Sequence, residues 1–322
     1  MKLLISFILV FSLGFTTITK AEPLASWQEG EVKQAIINFV KKTTDRNSND
    51  FVAVTDRIAV FDNDGTLWAE QPAYFQLFFA LEQVKKLAKD NPDWKTTQPY
   101  ADILKGNMPA HMSEADLVAL VMKTHTGMNS DEFTKRASSW MSAAKHPITK
   151  KPFTEMVYQP MLELLSYLRE HDYKTFIVSG GGVEFMRAWA PAVYGIPAEQ
   201  IVGSRIASEY KVIDGKPQIV RLPKLEFNND KAGKPIGIYN AIGKRPVMAF
   251  GNSDGDREML EWTKAGAGAR FSMLIHHTDD KREWAYDKGS KIGGLDKALQ
   301  QAKQESWTVV DMKKDWKVIY KQ

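Results

Sequence analysis

The 322-residue chain contains no cysteine. That excludes a disulfide scaffold, a thiolate zinc site and an iron–sulfur protein. Proline and glycine are sparse, 14 and 21 residues, which excludes a collagenous or low-complexity chain. Charge of one sign is scarce too: the formal net charge is +4, and Lys2 and Lys20 belong to the N-terminal 21 residues. Without those two, 41 basic residues face 39 acidic ones, so electrostatics give no reason to expect nucleic acid as a partner. After the first 21 residues no segment is apolar enough to cross a membrane. What remains is 43% hydrophobic residues, with 9 Trp, 10 Tyr and 16 Phe, ample for a sizeable core.

Residues 1–21, MKLLISFILVFSLGFTTITKA, carry a basic start at Lys2, an apolar stretch from Leu3 to Phe15, and small residues at Thr19 and Ala21. This is the three-part pattern of a secretory signal peptide, with a cut near Ala21. The apolar stretch is too short for a bilayer span of roughly 20 residues. The chain is therefore expected to be exported to the periplasm without a stable membrane anchor. Export and the lack of thiols are consistent with each other.

Further along, short apolar runs alternate with helical periodicity. Ile58 to Phe61 reads as a buried parallel strand running into the loop DNDGT. From Tyr74 to Trp140 the periodicity is helical, as in FQLFFALEQVKKLAK and SEADLVALVMKTH, the second opened by Ser113 and Glu114. The strand KTFIVS then runs into GGG, and the strand PVMAF into GNSDGD. Strands RFSMLI and WTVV and two more helices close the chain. Alternating strands and helices give an α/β fold, a Rossmann-like parallel sheet with helices on both faces, interrupted by an inserted all-helical cap. The expected organisation is a signal peptide at 1–21, a core at 22–67 and 156–322, and the cap at 68–155. In such sheets ligands bind beyond the carboxyl ends of the strands, where DNDGT, SGGG and GNSDGD converge.

Asp62 and Asp64 stand two residues apart, so an extended backbone turns both carboxylates to one side and Asn63 to the other. Such a pair suits two-step phosphoryl transfer, one carboxylate attacking phosphorus and the other moving protons. FDNDGTLW resembles the first motif of the haloacid-dehalogenase-like hydrolase superfamily, and SGGG after a long helical insertion is similar to its phosphoserine-phosphatase-like subgroup. The resemblance spans roughly Arg57 to Gly268. It implies a Mg²⁺-dependent phosphomonoesterase acting on a small phosphate ester, with Asp62 as nucleophile and Asp64 as general acid and base. It further implies Ser179 and Gly180 as phosphate binders at a helix N-terminus. The phosphate-binding lysine is Lys231 or Lys234, with Pro235 favouring Lys234 at a helix start. The metal set becomes Asp62, the carbonyl of Asp64, Asn252 and Asp256, where Asn252 replaces the family's usual acid and contributes no charge. On this reading Asn252→Asp tightens Mg²⁺ binding. Glu70 follows the first motif where some relatives place a substrate-binding acid.

Two rivals remain at this stage. Gly251 to Gly255 also satisfies G-x-S-x-G, which would make Ser253 a serine-hydrolase nucleophile served by His276 or His277. Alternatively the chain is a non-catalytic exported binder of phosphate compounds with a weakened metal site.

Overall fold

The computed structural model describes residues 22–108 and 112–321. The leader and its cut near Ala21 lie outside the described residues. Seven strands form one sheet in the order β4-β3-β2-β1-β5-β6-β7. They are β1 (Ile58–Phe61), β2 (Lys174–Gly182), β3 (Ile201–Ile213), β4 (Lys216–Phe227), β5 (Met248–Gly251), β6 (Phe271–His276) and β7 (Thr308–Asp311). All neighbours pair in parallel except β3 with β4. The expected α/β architecture is present, with one antiparallel edge strand added.

Strand β1 shows why the sheet is covered on both sides. All four of its residues are buried. Ala59 and Phe61 join one apolar cluster, while Ile58 and Val60 join the other, as strand alternation requires. Phe61 stacks on Phe250 of β5, ring centroids 4.3 Å apart. Helix α1 (Glu31–Thr44) precedes β1 and buries Ile36, Phe39 and Val40 in the first cluster.

Between β1 and β2 run α2 (Phe75–Leu87), α3 (Tyr100–Leu104), α4 (Glu114–His125), α5 (Ser130–Ala143) and α6 (Gln159–Glu170). The hydroxyl of Ser113 caps α4, and Asp116 returns the bond to the Ser113 backbone, satisfying donors that a helix start leaves free. After β2 come α7 (Val183–Arg187) and α8 (Ala190–Tyr194), and α9 (Gly233–Ile242) follows β4. The chain then adds α10 (Arg257–Lys264), α11 (Lys297–Gln304) and α12 (Met312–Asp315).

The β3–β4 hairpin is the main feature that periodicity alone did not show. Its turn is Asp214-Gly215, both with positive φ, 51° and 73°, the combination a two-residue type I′ turn requires. The hairpin reaches the helical insertion: Arg221 N–H donates to Met128 O and Gly127 N–H to Arg221 O. The wall over the sheet's carboxyl edge is thus part helix and part strand.

Candidate active site

The chain enters β1 in the middle of the sheet, then β2 on one side and β5 on the other, so the loops after these three strands flank one crevice. Asp62 leaves β1 with its backbone N–H still donating to Phe250 O, 2.9 Å. Gly65 has φ +74°, and a Cβ there would collide with Asn252 Nδ2 and Glu70 Oε1. A residue without a side chain is therefore needed for the turn and for the close approach of the third loop.

Lys234, in the first turn of α9, is the hub. It is 2% exposed and its Nζ donates to Asp62 Oδ1 and to Asp256 Oδ1, 2.6 Å each, and to Val178 O, 3.1 Å. Burial alone would favour loss of its proton, but the carboxylates of Asp256 and Asp62 outweigh that and push its pKa up. Lys234 is held as a cation. Lys231, the alternative, is exposed with φ +53°. The other oxygen of Asp256 accepts from Asn252 N, Ser253 N and Ser253 Oγ, so Asp256 commits both oxygens to the chain.

Asp64 faces the same crevice. Its Oδ1 accepts from Trp68 Nε1, 2.9 Å, and a Cβ built on Gly181 would stand 3.7 Å from Asp64 Oδ2 and 3.3 Å from Ser179 Oγ. Burial raises the Asp64 carboxyl above its ordinary range, against the Trp68 hydrogen bond, as suits a group that must carry a proton. Asn63 points away, its Oδ1 accepting from Tyr194 OH at 3.0 Å. In the second loop Ser179 Oγ accepts from Gly181 N, 3.0 Å, and the Ser179 carbonyl from Asn229 Nδ2, 2.9 Å. Gly182 N donates to Gln76 Oε1 of α2, 2.8 Å. That bond ties the helical insertion to the second loop.

Asn252 accepts from Thr66 Oγ1, 3.0 Å, and its Nδ2 donates to Glu70 Oε1, 2.8 Å. Glu70 also accepts from Tyr286 OH, 2.7 Å, and is only 1% exposed. A Cβ on Gly293, which has φ +62°, would strike Glu70 Oε1. The chain thus builds a close cradle around Glu70, immediately behind Asn252. Sequence reading singled Glu70 out, but its partners Tyr286 and Gly293 lie more than 200 positions away, beyond the reach of any local pattern.

The charge balance bears on a cation. Four carboxylates, Asp62, Asp64, Glu70 and Asp256, gather at the site, and among the described residues the one ammonium there, Lys234, pairs with Asp62 and Asp256. Burial, then the like charge of Asp256, drives the Asp62 carboxyl well above its ordinary range, and burial does the same to Glu70. Among the described residues no three His, Cys, Asp or Glu side chains group as a metal cage. A donor set with a backbone carbonyl and an amide still fits: Asp62, the Asp64 carbonyl and the Asn252 amide are hard oxygen donors beside excess anionic charge, which suits a hard divalent cation.

The serine-hydrolase arrangement is not assembled. Ser253 Oγ is engaged with Asp256 and Gly255 N. His277 Nε2 meets Gly65 O at 2.8 Å and its Nδ1 meets Glu283 Oε2 at 3.2 Å, while His276 faces Asp287, 3.6 Å away. His277 has acceptors on both ring nitrogens and bears directly on the DNDGT turn, a positioning role that its sequence did not reveal.

Above these residues lies a cavity of about 340 Å³, lined in part by Asp62, Asp64, Ser179, Gly180 and Lys234. A family model described as haloacid dehalogenase-like hydrolase matches residues 59–261. Among solved structures, a conserved protein of unknown function from Anaerococcus prevotii DSM 20548 superposes with a TM-score of 0.53 at 16% identity, covering 87% of this chain and 91% of its own. A protein of unknown function from Bordetella pertussis Tohama I gives 0.48 at 12%, covering 80% and 98%. A probable phosphoserine phosphatase from Vibrio cholerae gives 0.39 at 13%, covering 81% and 62%. The first of these supports the fold; the other two superpose too loosely to carry an argument. No curated protein matches the chain.

Proposed function

The chain belongs to the haloacid dehalogenase-like hydrolases, and from that membership we propose that it is a phosphomonoesterase working through an aspartyl-phosphate on Asp62. The observation that carries this reading is Lys234 bridging Asp62 and Asp256 at 2.6 Å each. The ammonium holds the attacking carboxylate in place and offers positive charge to the incoming phosphoryl group. In the first step an Asp62 oxygen bonds phosphorus while the ester P–O bond breaks, and Asp64 gives its proton to the departing alkoxide. In the second step Asp64 takes a proton from water as the water oxygen attacks phosphorus, and the P–O bond to Asp62 breaks, returning the carboxylate and free phosphate. Ser179 and the amide of Gly180, at the carboxyl end of β2, receive the phosphoryl oxygens.

Asp62, the Asp64 carbonyl and Asn252 would hold Mg²⁺, with Glu70 supplying from behind the negative charge that Asn252 lacks. Bound there, the ion would contribute positive charge against which phosphate and carboxylate can approach each other. Asp256 acts through Lys234 and the amides of its own loop. The 68–155 segment serves as the cap, and export to the periplasm remains part of the proposal. The test is phosphate release from an aryl phosphate with Mg²⁺ and with chelator, beside an aryl acetate control. Metal-dependent phosphate release supports the reading. Acetate hydrolysis indifferent to chelator returns the question to Ser253.

A further inference from the structure

Helix α4 carries apolar residues on two faces, and only one of them is absorbed by the helical insertion. Leu120 is buried with Ala80, Val84, Trp94 and Ile103. Leu117, Val118, Val121 and Met122 are half-buried and line the active-site cavity. Their spacing of i, i+1, i+4 and i+5 makes one stripe. Ile206 of β3 and Leu225 of β4, carried there by the hairpin, and the buried Phe133 and Phe185 also line the cavity.

The polar groups of this wall are already engaged. Arg221 is 4% exposed; its Nε donates to His125 O at 2.7 Å, its Nη1 pairs with Glu184 at 3.2 Å, and its guanidinium lies 4.0 Å from the Phe133 ring centroid. Arg205 pairs with Glu226 at 3.4 Å. Lys234 is held by Asp62 and Asp256. Among the described residues lining the cavity, every Arg and Lys therefore has a carboxylate partner. With Lys234 serving the phosphoryl group and Arg221 buried against Glu184 and Phe133, a second anionic group on a substrate would find among them only the partly exposed Arg205, already beside Glu226, and would face Asp64, Glu184 and Asp230.

We propose that the stripe of α4 and the apolar lining residues of the β3–β4 hairpin form a leaving-group subsite for an apolar alcohol without an anionic group. The substrate is then a phosphomonoester with a bulky hydrocarbon or aryl-alkyl group and no second anion. This inference rests on the phosphatase reading. At about 340 Å³ the cavity lies near the small end of ligand pockets, so a single ring or a short branched chain fits beside the phosphoryl group.

The test compares alkyl esters whose alcohols differ little in leaving ability: 2-phenylethyl phosphate, ethyl phosphate, glycerol phosphate, phosphocholine and O-phosphoserine. The expected kcat/KM for 2-phenylethyl phosphate exceeds each of the others by about tenfold or more, the scale set by a few methylenes in an apolar pocket. Val121→Asp, and separately Leu225→Asp on the exposed hairpin, reduce the ratio of 2-phenylethyl to ethyl phosphate about tenfold. Equal or faster hydrolysis of a polar or charged ester overturns the subsite while leaving the phosphatase standing. So does an unchanged ratio in both folded variants. Hydrolysis of none of the five overturns the phosphatase reading, and the subsite with it.

Discussion

The three strand-end loops and the wall above them are built in opposite ways. Around the loops buried polar side chains answer across elements: Lys234 of α9 to Asp62 and Asp256, Asn252 to Thr66 and Glu70, His277 to the carbonyl of Gly65. In the wall, α4 offers a half-buried apolar stripe and the β3–β4 hairpin adds Ile206 and the exposed Leu225. Chemistry that moves a phosphoryl group needs charges fixed before substrate arrives. Recognition of an apolar group needs only shape and dryness. The molecule keeps its rigid, charged construction for the first task and its permissive construction for the second.

That contrast can be broken at several points. Asp62→Asn removes the nucleophile without adding volume. Turnover should fall on the order of 10⁴-fold or more while circular dichroism and melting stay those of a folded protein; a folded variant that retains activity would refute the loop assignment. Lys234→Met leaves Asp62 and Asp256 buried without their shared cation, and should cost about 3–5 kcal/mol of stability in denaturant melts as well as activity.

The wall has one sensitive joint, His125, which is fully buried and stays neutral because burial, and secondarily Arg221, lower its pKa from 6.5 to about 3. Its Nδ1 meets Thr124 Oγ1 at 2.7 Å and its Nε2 meets Gln76 Nε2 at 3.3 Å. The folded state disfavours the imidazolium, so this stability is complete above pH 6.5 and is lost as pH falls toward 3, by up to about 1.4 kcal/mol per pH unit. Unfolding free energies measured from pH 7 to 4 should show that slope, and His125→Gln should flatten it.

Three smaller effects sharpen the comparison. Glu70→Gln should weaken Mg²⁺ binding in calorimetry by about 10–100-fold. Asn252→Asp, which the sequence alone suggested would tighten the metal, now sets a carboxylate against Glu70 and should help only when combined with Glu70→Gln. An unchanged Mg²⁺ affinity in Glu70→Gln would remove Glu70 from the metal's surroundings. Leu117→Ala in the half-buried stripe should cost about 1 kcal/mol or less; a loss as large as that of Lys234→Met would mean the wall is as rigid as the loops.

The loops were legible because their chemistry is local. An apolar strand followed by DNDGT, SGGG or GNSDGD announces both its place at a strand end and its residues, and the parallel sheet brings the three loops to one edge. The choice between Lys231 and Lys234 needed the α9 turn, since both are lysines three residues apart. Glu70 and His277 take their roles from distant partners, Tyr286 and Gly293 for one, Gly65 and Glu283 for the other. The hairpin did carry a local signal: Asp214-Gly215 between runs of alternating character is a strong type I′ turn, and it is the feature from which β3 and β4 could have been read. What could not be read is that this hairpin folds over the site, because its contact with Met128 joins segments more than ninety residues apart.

The most direct measurement is to quench the enzyme during turnover of an alkyl phosphate, reduce with borohydride, and map the peptides by mass spectrometry. Borohydride converts an aspartyl-phosphate to homoserine, so the account predicts homoserine at position 62 alone, absent without substrate. Turnover that leaves Asp62 unmodified, with the covalent group found on Ser253 or nowhere, would contradict it.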